Sequence, residues 1–157
     1  MNEDLIEFLK ESNNIEDVWD DDSLAQALYA WNYLWDQFEL DTSVILKTHK
    51  ILMLNHLGPR YKGRFRDVPV WIGGREVDNA PNIPDLIAQW CQNANLSKTE
   101  DEIKEDHVKY EAIHPFIDGN GRTGRLFLNF QRKKNHLPIL VIKEKEKYDY
   151  YNWFKRD

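Results

Sequence analysis

The sequence predicts a single, mainly α-helical domain that carries one β-hairpin. Apolar side chains recur at steps of three and four residues in several segments, which is the spacing of helices that bury one face. Only the segment around Gly73-Gly74 has the β-branched and aromatic composition typical of strands. A length of 157 residues suffices for one domain with a proper core, but not for two of typical size. We therefore treat 1–157 as one domain.

Two helices are predicted in the first third of the chain. The first covers 23–39, with Ser23 as its cap and one apolar stripe along its length. The residues of that stripe are Leu24, Leu28, Trp31, Trp35 and Phe38. The second helix is capped by Thr42 or Ser43 and runs to about His56.

A β-hairpin is predicted over 63–78, where the composition of the sequence changes. Gly73-Gly74 suits a tight turn between two strands. The flanking residues are β-branched or aromatic: Phe65, Val68, Val70, Trp71, Ile72 and Val77. Because a two-stranded sheet is not stable alone, we expect the hairpin to pack on the helices.

Four more helices are predicted in the second half of the chain. Pro84 suits the first turn of a helix over 84–94. Thr99 and Glu102 match a capping box for a helix that reaches about Ile113. The remaining two helices are predicted over 122–135 and 148–155.

The charge of the chain disfavours a general surface for nucleic acid or for anionic membranes. It contains 21 basic and 27 acidic residues, for a net charge of −6. The basic residues nevertheless form local clusters, which leaves room for one anion site. The first of these clusters could contact a target or a nucleic acid, but a solvated loop is the commoner explanation: Arg60, Lys62, Arg64 and Arg66.

The sequence favours a cytoplasmic protein without a membrane span or a thiolate site. Residues 1–4 are acidic where a signal peptide would be basic, and no apolar run approaches the ~20 residues that span a bilayer. Cys91 is the only cysteine, which excludes an intrachain disulfide and a thiolate-rich zinc site. Four histidines lack the spacing of zinc ligands and are assigned to surface or core: His49, His56, His107 and His136.

The segment 114–125 combines several chemical groups between two predicted helices. Gly119 and Gly121 allow backbone conformations that are closed to other residues, and they expose N–H groups where the second helix begins, which favours a phosphate. Arg122 and Arg125 share one face of that helix, so their guanidinium groups can hold further phosphate oxygens. A polyphosphate fits this arrangement better than a single phosphate.

Two side chains of the same segment can supply catalysis. Asp118 can hold Mg²⁺ against phosphate oxygens, because Mg²⁺ binds through one or two carboxylates and completes its shell with phosphate and water. His114 has a side chain of near-neutral pKa, which suits removal of a proton from a hydroxyl. The glycines at 119, 121 and 124 also match the Rossmann pattern, but a helix rather than a strand precedes them, so we reject a dinucleotide fold.

Residues 114–125 read His-Pro-Phe-Ile-Asp-Gly-Asn-Gly-Arg-Thr-Gly-Arg. This segment resembles the signature of the Fic family, His-Pro-Phe-x-Asp/Glu-Gly-Asn-Gly-Arg-x-x-Arg, at every specified position. The resemblance implies a Fic-type helical bundle with a β-hairpin flap. It also implies transfer of AMP from ATP, with Mg²⁺ as cofactor, to a Tyr, Ser or Thr hydroxyl of a target protein, which could be the chain itself.

The resemblance also implies a role for each signature residue. His114 is the base that deprotonates the target hydroxyl, Asp118 binds Mg²⁺ and Phe116 anchors the loop in the core. Arg122 contacts the β-phosphate and Arg125 the γ-phosphate. The other implied phosphate contacts are Gly119, Asn120 and Gly121.

The predicted hairpin resembles the flap that Fic domains carry upstream of the signature. By that resemblance, 63–78 would pair with an extended segment of the target through strand addition. The residues implied in this docking are Val70, Trp71, Ile72 and Gly73.

Residues 1–20 contain a second, shorter resemblance to Fic proteins. Ser12 and Glu16 match the inhibitory pattern Ser/Thr-x-x-x-Glu-Gly/Asn, although Asp17 stands where Gly or Asn is usual. In that pattern the Glu pairs with the second arginine of the signature and blocks productive ATP binding, which implies that Glu16 inhibits through Arg125. Without the resemblance, Ser12 and Glu16 would be interpreted as a helix end and a surface acid.

Two other functions stay open at the level of the sequence. The same site could remove AMP by hydrolysis or transfer another phosphate-containing group. The chain could also be a catalytically idle module that binds nucleotide or a partner, but such a module needs neither His114 nor Asp118. The aromatic residues of the last helix are interpreted as packing residues: Tyr148, Tyr150, Tyr151 and Trp153.

Overall fold

A computed structural model of the protein describes residues 3–155. The predicted fold class is confirmed, since these residues form seven α-helices and one two-stranded hairpin. The elements are α1 (Glu3–Ile15), α2 (Asp21–Trp35), α3 (Thr42–Leu52), β1 (Val70–Ile72), β2 (Arg75–Val77), α4 (Ile83–Leu96), α5 (Glu100–Ile113), α6 (Asn120–Lys134) and α7 (Lys147–Tyr151). Short 3₁₀ turns cover Ala80–Asn82, Glu144–Glu146 and Asn152–Phe154.

The helix that follows the signature loop, α6, lies at the centre of the bundle. It contacts α1, α2, α3 and α5, and every residue from Arg122 to Arg132 is buried. Aromatic rings connect it to its neighbours: the Tyr110 and Phe127 ring centroids are 5.5 Å apart, and those of Trp90 and Phe127 are 6.1 Å apart. Because the start of α6 is continuous with this core, the signature loop rests on a rigid base.

The predicted start and end of the first amphipathic helix are wrong. Its cap is Asp20 rather than Ser23, because an Asp20 carboxylate oxygen accepts the Ser23 N–H at 2.9 Å. The helix ends at Trp35, so Phe38 falls in the connection to α3 and is 91% exposed. The buried apolar side chains of α2 are Ala27, Ala30, Trp31 and Leu34.

The next helix, α3, also starts and ends differently from the prediction. Asp41 caps it by accepting the Val44 N–H at 2.8 Å, and neither Thr42 nor Ser43 serves as the cap. The helix ends at Leu52, and the chain then continues in turns through His56.

Three other predicted elements are confirmed in position and type. The Thr99 and Glu102 capping box is formed, and α5 ends at Ile113 as expected. Pro84 lies in the first turn of α4. The strands β1 and β2 pair in antiparallel register, with Val70 opposite Val77 and Gly73-Gly74 as the turn.

The C-terminal helix is shorter than predicted. Only Lys147–Tyr151 is α-helical, and a 3₁₀ turn follows it. Tyr150 is buried as the packing interpretation expects, whereas Tyr148 is 72% exposed. Within the described part of the chain, no helix is both long and apolar enough to cross a bilayer.

Candidate active site

The signature loop joins α5 to α6 through two residues with left-handed backbone. His114 ends α5 with φ 51° and ψ 64°, and Gly119 precedes α6 with φ 89°. The glycine is also required by space, since a Cβ at 119 would lie 2.9 Å from Met53 Sδ. These two reversals turn the chain so that the side chain of His114 and the first turn of α6 line the same pocket.

The side chain of Asn120 holds this loop in shape. Its Oδ1 accepts the Phe116 N–H at 2.8 Å, and its Nδ2 donates to the Phe116 carbonyl at 2.8 Å. Phe116 is fully buried, in agreement with its implied role as the anchor of the loop. The amide side chain of Asn120 is therefore engaged with the loop, and a phosphate would meet its backbone N–H in the first turn of the helix.

His49, on α3, holds the signature loop in place, and sequence reasoning missed this role. Its ring stacks on Phe116 with centroids 3.7 Å apart, and its Nε2 lies 2.9 Å from the Asp118 carbonyl oxygen. Its Nδ1 accepts the Gly63 N–H at 3.0 Å, so Nε2 carries the proton that is donated to Asp118. Burial lowers the pKa of His49 to about 4, which keeps the ring neutral in this arrangement.

The first turn of α6 and Arg122 line a pocket that the carboxylates of Glu16 and Asp118 also reach. The pocket has a volume of about 100 Å³, and its wall includes Gly119, Asn120, Gly121 and Arg122. The first N–H groups of a helix have no partner within the helix, and its dipole favours an anion there. Arg122 is 4% exposed, and its Nε finds no hydrogen-bond partner among the described residues. An anionic ligand in the pocket would supply the missing acceptor.

Asp118 stands at the mouth of this pocket with its carboxylate accessible. Its side chain is 62% exposed, and Oδ1 accepts the Gly119 N–H at 2.8 Å. Its Oδ2 lies 3.8 Å from Arg122 Nη2, which leaves room for another positive partner. One accessible carboxylate beside an anion pocket fits Mg²⁺, which takes its other ligands from phosphate and water. Within residues 3–155, no group of three His, Cys, Asp or Glu side chains could hold a metal.

The imidazole of His114 is placed to act as a base. Its Nδ1 lies 3.2 Å from the Glu111 carbonyl oxygen, which can only accept, so Nδ1 carries the proton and Nε2 keeps its lone pair. Burial lowers the pKa of His114 below its usual value of 6.5, and the charge of Arg66 lowers it further. The hydrogen bond to the Glu111 carbonyl raises the pKa, but the net shift is downward. The ring is therefore neutral at physiological pH.

Arg66 corrects the interpretation of the basic cluster as a solvated loop. It is 5% exposed, and its Nε donates to the His114 carbonyl at 2.7 Å. Its Nη2 donates to the Ile113 carbonyl at 3.2 Å and to Asn79. This guanidinium therefore holds the end of α5 at His114, while Arg60 and Arg64 remain exposed.

The N-terminal helix closes one side of the site through Arg125. The Arg125 Nε donates to Ser12 Oγ at 2.8 Å, and its Nη2 donates to the Ser12 carbonyl at 3.0 Å and to Glu16 Oε1 at 2.8 Å. Asp17 follows with φ 59°, a left-handed backbone that Gly, Asn and Asp adopt most readily. The departure of Asp17 from the inhibitory pattern is thus compatible with its geometry.

Gly121 is the residue that allows this approach. A Cβ at position 121 would lie 2.5 Å from Glu16 Oε1 and 2.8 Å from Arg125 Nη1. The Arg125 guanidinium has a further partner, because its Nη1 donates to the Tyr150 hydroxyl at 3.2 Å. That hydroxyl lies 2.7 Å from His107 Nε2. Tyr150 therefore packs the last helix, as predicted, and also fixes the orientation of Arg125.

The hairpin faces the signature across a wider cleft of about 680 Å³. Trp71, Ile72 and Gly73 line it on one side, and His114, Gly121 and Arg125 line it on the other. The indole of Trp71 is 69% exposed. The structure thus brings three of the four flap residues to the cleft, whereas Val70 lies outside its lining.

Glu111 lies in the same cleft and was not singled out by the sequence. Its Oε1 is buried and has no hydrogen-bond partner among the described residues. Burial raises the pKa of Glu111 to about 7, although Arg125 lowers it in part. A Cβ at Gly124 would lie 2.9 Å from this oxygen, which explains the third glycine of the signature segment.

Replacing Glu111 with Gln is expected to change how stability depends on pH. The unfolded carboxyl has its usual pKa of 4.5 and the folded one about 7, so wild-type stability falls as the pH rises from 4.5 to about 7. Glu111→Gln removes this pH-dependent loss. Between pH 5 and pH 8, the free energy of unfolding of the variant should therefore rise by on the order of 1–3 kcal/mol relative to that of the wild type. Urea unfolding at both pH values measures the difference. Glu146→Gln removes an exposed carboxylate and is the control. An equal relative rise in this variant would show that the pH-dependent loss of stability does not come from Glu111.

Comparison with known proteins identifies relatives of this chain by sequence and by fold. The model of the Fic/DOC family matches residues 39–131. The chain is 31% identical over 128 residues to a protein adenylyltransferase Fic of Drosophila grimshawi, covering 78% of this chain and 26% of that protein. A relative of the same name in Drosophila yakuba is 33% identical over 129 residues, again with 78% and 26% covered. The chain thus spans about a quarter of the length of these curated relatives.

Two solved structures have the same fold at lower identity. A Fic-domain signalling protein of Bacteroides thetaiotaomicron has a TM-score of 0.78 at 19% identity, with 94% of this chain and 69% of that one covered. Fic-1 of C. elegans has a TM-score of 0.78 at 20% identity, with 97% and 55% covered. Both likenesses extend over nearly all of the chain.

Proposed function

Because the chain belongs to the Fic/DOC family, we propose that it transfers AMP from Mg·ATP to a hydroxyl side chain of a target protein. One observation carries the proposal: a neutral His114 lines the same pocket as Asp118 and the first turn of α6, with Arg122 in its wall. Relatives that match most of the chain are named protein adenylyltransferases, which supports the same reaction.

The triphosphate of ATP would lie along the start of α6. The N–H groups of Gly119, Asn120 and Gly121 would meet the α- and β-phosphates at the positive end of the helix. Arg122 would reach the β-phosphate, and Arg125, next along that face, would reach the γ-phosphate. Both arginines are buried, so their charge would be screened little by solvent.

Asp118 would hold the Mg²⁺ that accompanies ATP. Its accessible carboxylate lies next to Arg122 and to the phosphate-binding N–H groups. Bound there, Mg²⁺ would neutralise part of the charge of the phosphates. Asp118 keeps its orientation through the Gly119 N–H and through the bond between its carbonyl and His49.

The reaction itself needs one base and one stabilised leaving group. His114 Nε2 would accept the proton of the target hydroxyl while its oxygen forms a bond to the α-phosphorus. The bond between the α-phosphorus and the bridging oxygen to the β-phosphate breaks, and pyrophosphate leaves with the electron pair. The start of α6 and Arg122 would stabilise the charge that develops on the phosphates.

The hairpin would position the target segment. Among the described residues β1 and β2 pair only with each other, so each strand has an outer edge that can accept another strand. Val70, Trp71, Ile72 and Gly73 are the residues expected to take part. A segment added at this edge would run past His114 on the far side of the cleft.

Glu16 would act as a built-in inhibitor of this reaction. It occupies the Arg125 guanidinium that the γ-phosphate needs, and it lines the phosphate pocket as well as the wider cleft. Ser12 would assist because its hydroxyl and carbonyl hold the same guanidinium. ATP could then bind with a productive triphosphate only after the Glu16 carboxylate leaves Arg125.

The position of the transferred label tests the reaction. The protein and its Glu16→Gly variant are incubated with lysate and Mg²⁺, using ATP labelled at either the α- or the γ-phosphorus. We expect protein-bound label only from the α-phosphorus, and none after EDTA removes Mg²⁺. Label from the γ-phosphorus would indicate phosphoryl transfer. Loss of AMP from a modified target without ATP would indicate removal, and bound nucleotide without any label would favour a binding module.

A further inference from the structure

A second cleft adjoins the phosphate pocket at Ile117. It has a volume of about 260 Å³ and lies between the 60–68 segment and the signature loop. We call it the basic cleft; its lining residues include Arg60, Tyr61, Arg64, Phe65, Arg66 and Ile117. Nothing in the reaction described above uses it.

Two guanidinium groups in the basic cleft have no carboxylate partner among the described residues, and that of Arg60 lies over the Tyr61 ring with Cζ 5.9 Å from its centroid. These two residues are Arg60 and Arg64, and both are exposed. Arg66 is different, because it is buried and holds the end of α5. Among the described residues that line the cleft, Asp67 alone is acidic. The cleft therefore carries an excess of positive charge on a chain whose net charge is −6.

The basic cleft adjoins the phosphate pocket. Ile117 lines both, and it is 38% exposed between them. Val68 lines the cleft and stands two residues before β1, where the flap begins. A segment that lies along the flap and presents its hydroxyl to His114 would therefore pass the cleft with the residues next to that hydroxyl.

We propose that the basic cleft binds acidic side chains of the target, next to the hydroxyl that receives AMP. This inference rests on the proposed function, because it names the class of protein segment that the same site would accept. Carboxylates complement the two exposed guanidinium groups, and the aromatic rings of Tyr61 and Phe65 give the cleft an apolar wall for their stems.

A protein segment fits the cleft better than a nucleic acid. Two exposed arginines and one carboxylate form a short, local site, whereas nucleic-acid surfaces carry basic residues along an extended face. The net negative charge of the chain would also repel a polyanion at long range. A single acidic side chain carries one negative charge, so the long-range repulsion it meets is small.

The proposal is tested by equilibrium binding of two labelled peptides that differ only in charge. Each is a short peptide with a central Tyr, flanked by Glu in one and by Gln in the other. Fluorescence anisotropy is measured with the wild type, with Arg60→Gln/Arg64→Gln, and with Lys98→Gln/Lys145→Gln. The last variant removes the same charge at exposed positions outside the cleft.

We expect the wild type to bind the Glu peptide about three- to tenfold more tightly than the Gln peptide, as two exposed ion pairs would give. This preference should disappear in Arg60→Gln/Arg64→Gln, persist in Lys98→Gln/Lys145→Gln and weaken with added salt. The absence of a preference in the wild type, or its equal loss in both variants, would overturn the proposal. Tighter binding of a dT oligonucleotide that depends on Arg60 and Arg64 would replace it with a nucleic-acid site.

Failure of the proposed function would be visible separately. The binding measurement contains no ATP and does not depend on turnover. If AMP transfer fails but the acidic preference persists, the docking site stands without the reaction. If AMP is transferred with no acidic preference in binding, the reaction stands and the basic cleft has no role in docking.

Discussion

Glu16→Gly is expected to raise AMP transfer from α-labelled ATP by about tenfold. The Glu16 carboxylate lies 2.8 Å from Arg125 Nη2, so productive binding of the γ-phosphate must first break this contact. Hydrogen bonds to charged groups contribute roughly 1.5–3 kcal/mol, and the lower end applies because the Glu16 side chain is 39% exposed. An energy near 1.4 kcal/mol corresponds to about one factor of ten. The rate of label incorporation into lysate proteins measures the effect.

Two variants separate the contact from the general effects of substitution. Asp17→Gly removes the neighbouring carboxylate at a position whose φ of 59° suits glycine, and it should leave label transfer unchanged. Glu16→Gln keeps a hydrogen-bond acceptor but loses the charge, so we expect a smaller rise than for Glu16→Gly. Equal transfer by the wild type and Glu16→Gly would contradict the inhibitory role. An equal rise in Asp17→Gly would show that loosening of the N-terminal segment is responsible.

The parts of the fold that the sequence predicted well depend on local signals. The Thr99 and Glu102 capping box and the turn at Gly73-Gly74 are formed by residues that are close in the chain. The signature segment is also local, since its loop is closed by Asn120 on Phe116, four residues away. Such interactions can be inferred from spacing because their partners lie within one turn.

The errors at helix ends arose where several local signals compete. Asp20, Asp21, Asp22 and Ser23 can all cap a helix, and each fits the apolar spacing that follows. The tertiary structure selects Asp20, because Ser23 Oγ is needed both by the Asp20 carboxylate and by His56 Nε2 at 2.7 Å. Phe38 continued the spacing of α2, but the chain turns after Trp35 to begin α3 and leaves this ring in solvent.

The residues that support the site could not be found from spacing. His49 contacts the Asp118 carbonyl from 69 residues away, and Arg66 holds the His114 carbonyl from 48 residues away. Both side chains bind backbone carbonyl oxygens of the signature loop. Every residue has such an oxygen, so the sequence does not indicate which one is bound. Only the fold shows that a histidine on α3 and an arginine before the flap hold the backbone of the signature loop.

His114→Asn is expected to reduce AMP transfer by a factor of about 10² to 10⁴, the usual contribution of a general base. Asn is chosen because position 114 has a φ of 51°, which Asn tolerates better than Ala, so the loop should keep its shape. The amide cannot accept the hydroxyl proton near neutral pH. Label transfer is measured in the Glu16→Gly background, and ATP binding should change by less than a few fold because the phosphate contacts remain.

The dependence of transfer on pH distinguishes loss of a base from loss of structure. Burial and Arg66 lower the pKa of His114 below 6.5, so the imidazole stays neutral through pH 7 and 8 and becomes protonated only in more acidic solution. Transfer by the Glu16→Gly protein should therefore be level above pH 7 and fall at lower pH, and the residual transfer by His114→Asn should lose this step. The exposed His136→Asn variant should keep both the rate and the step. Full activity in His114→Asn, or the same pH step without the imidazole, would assign the base to another residue.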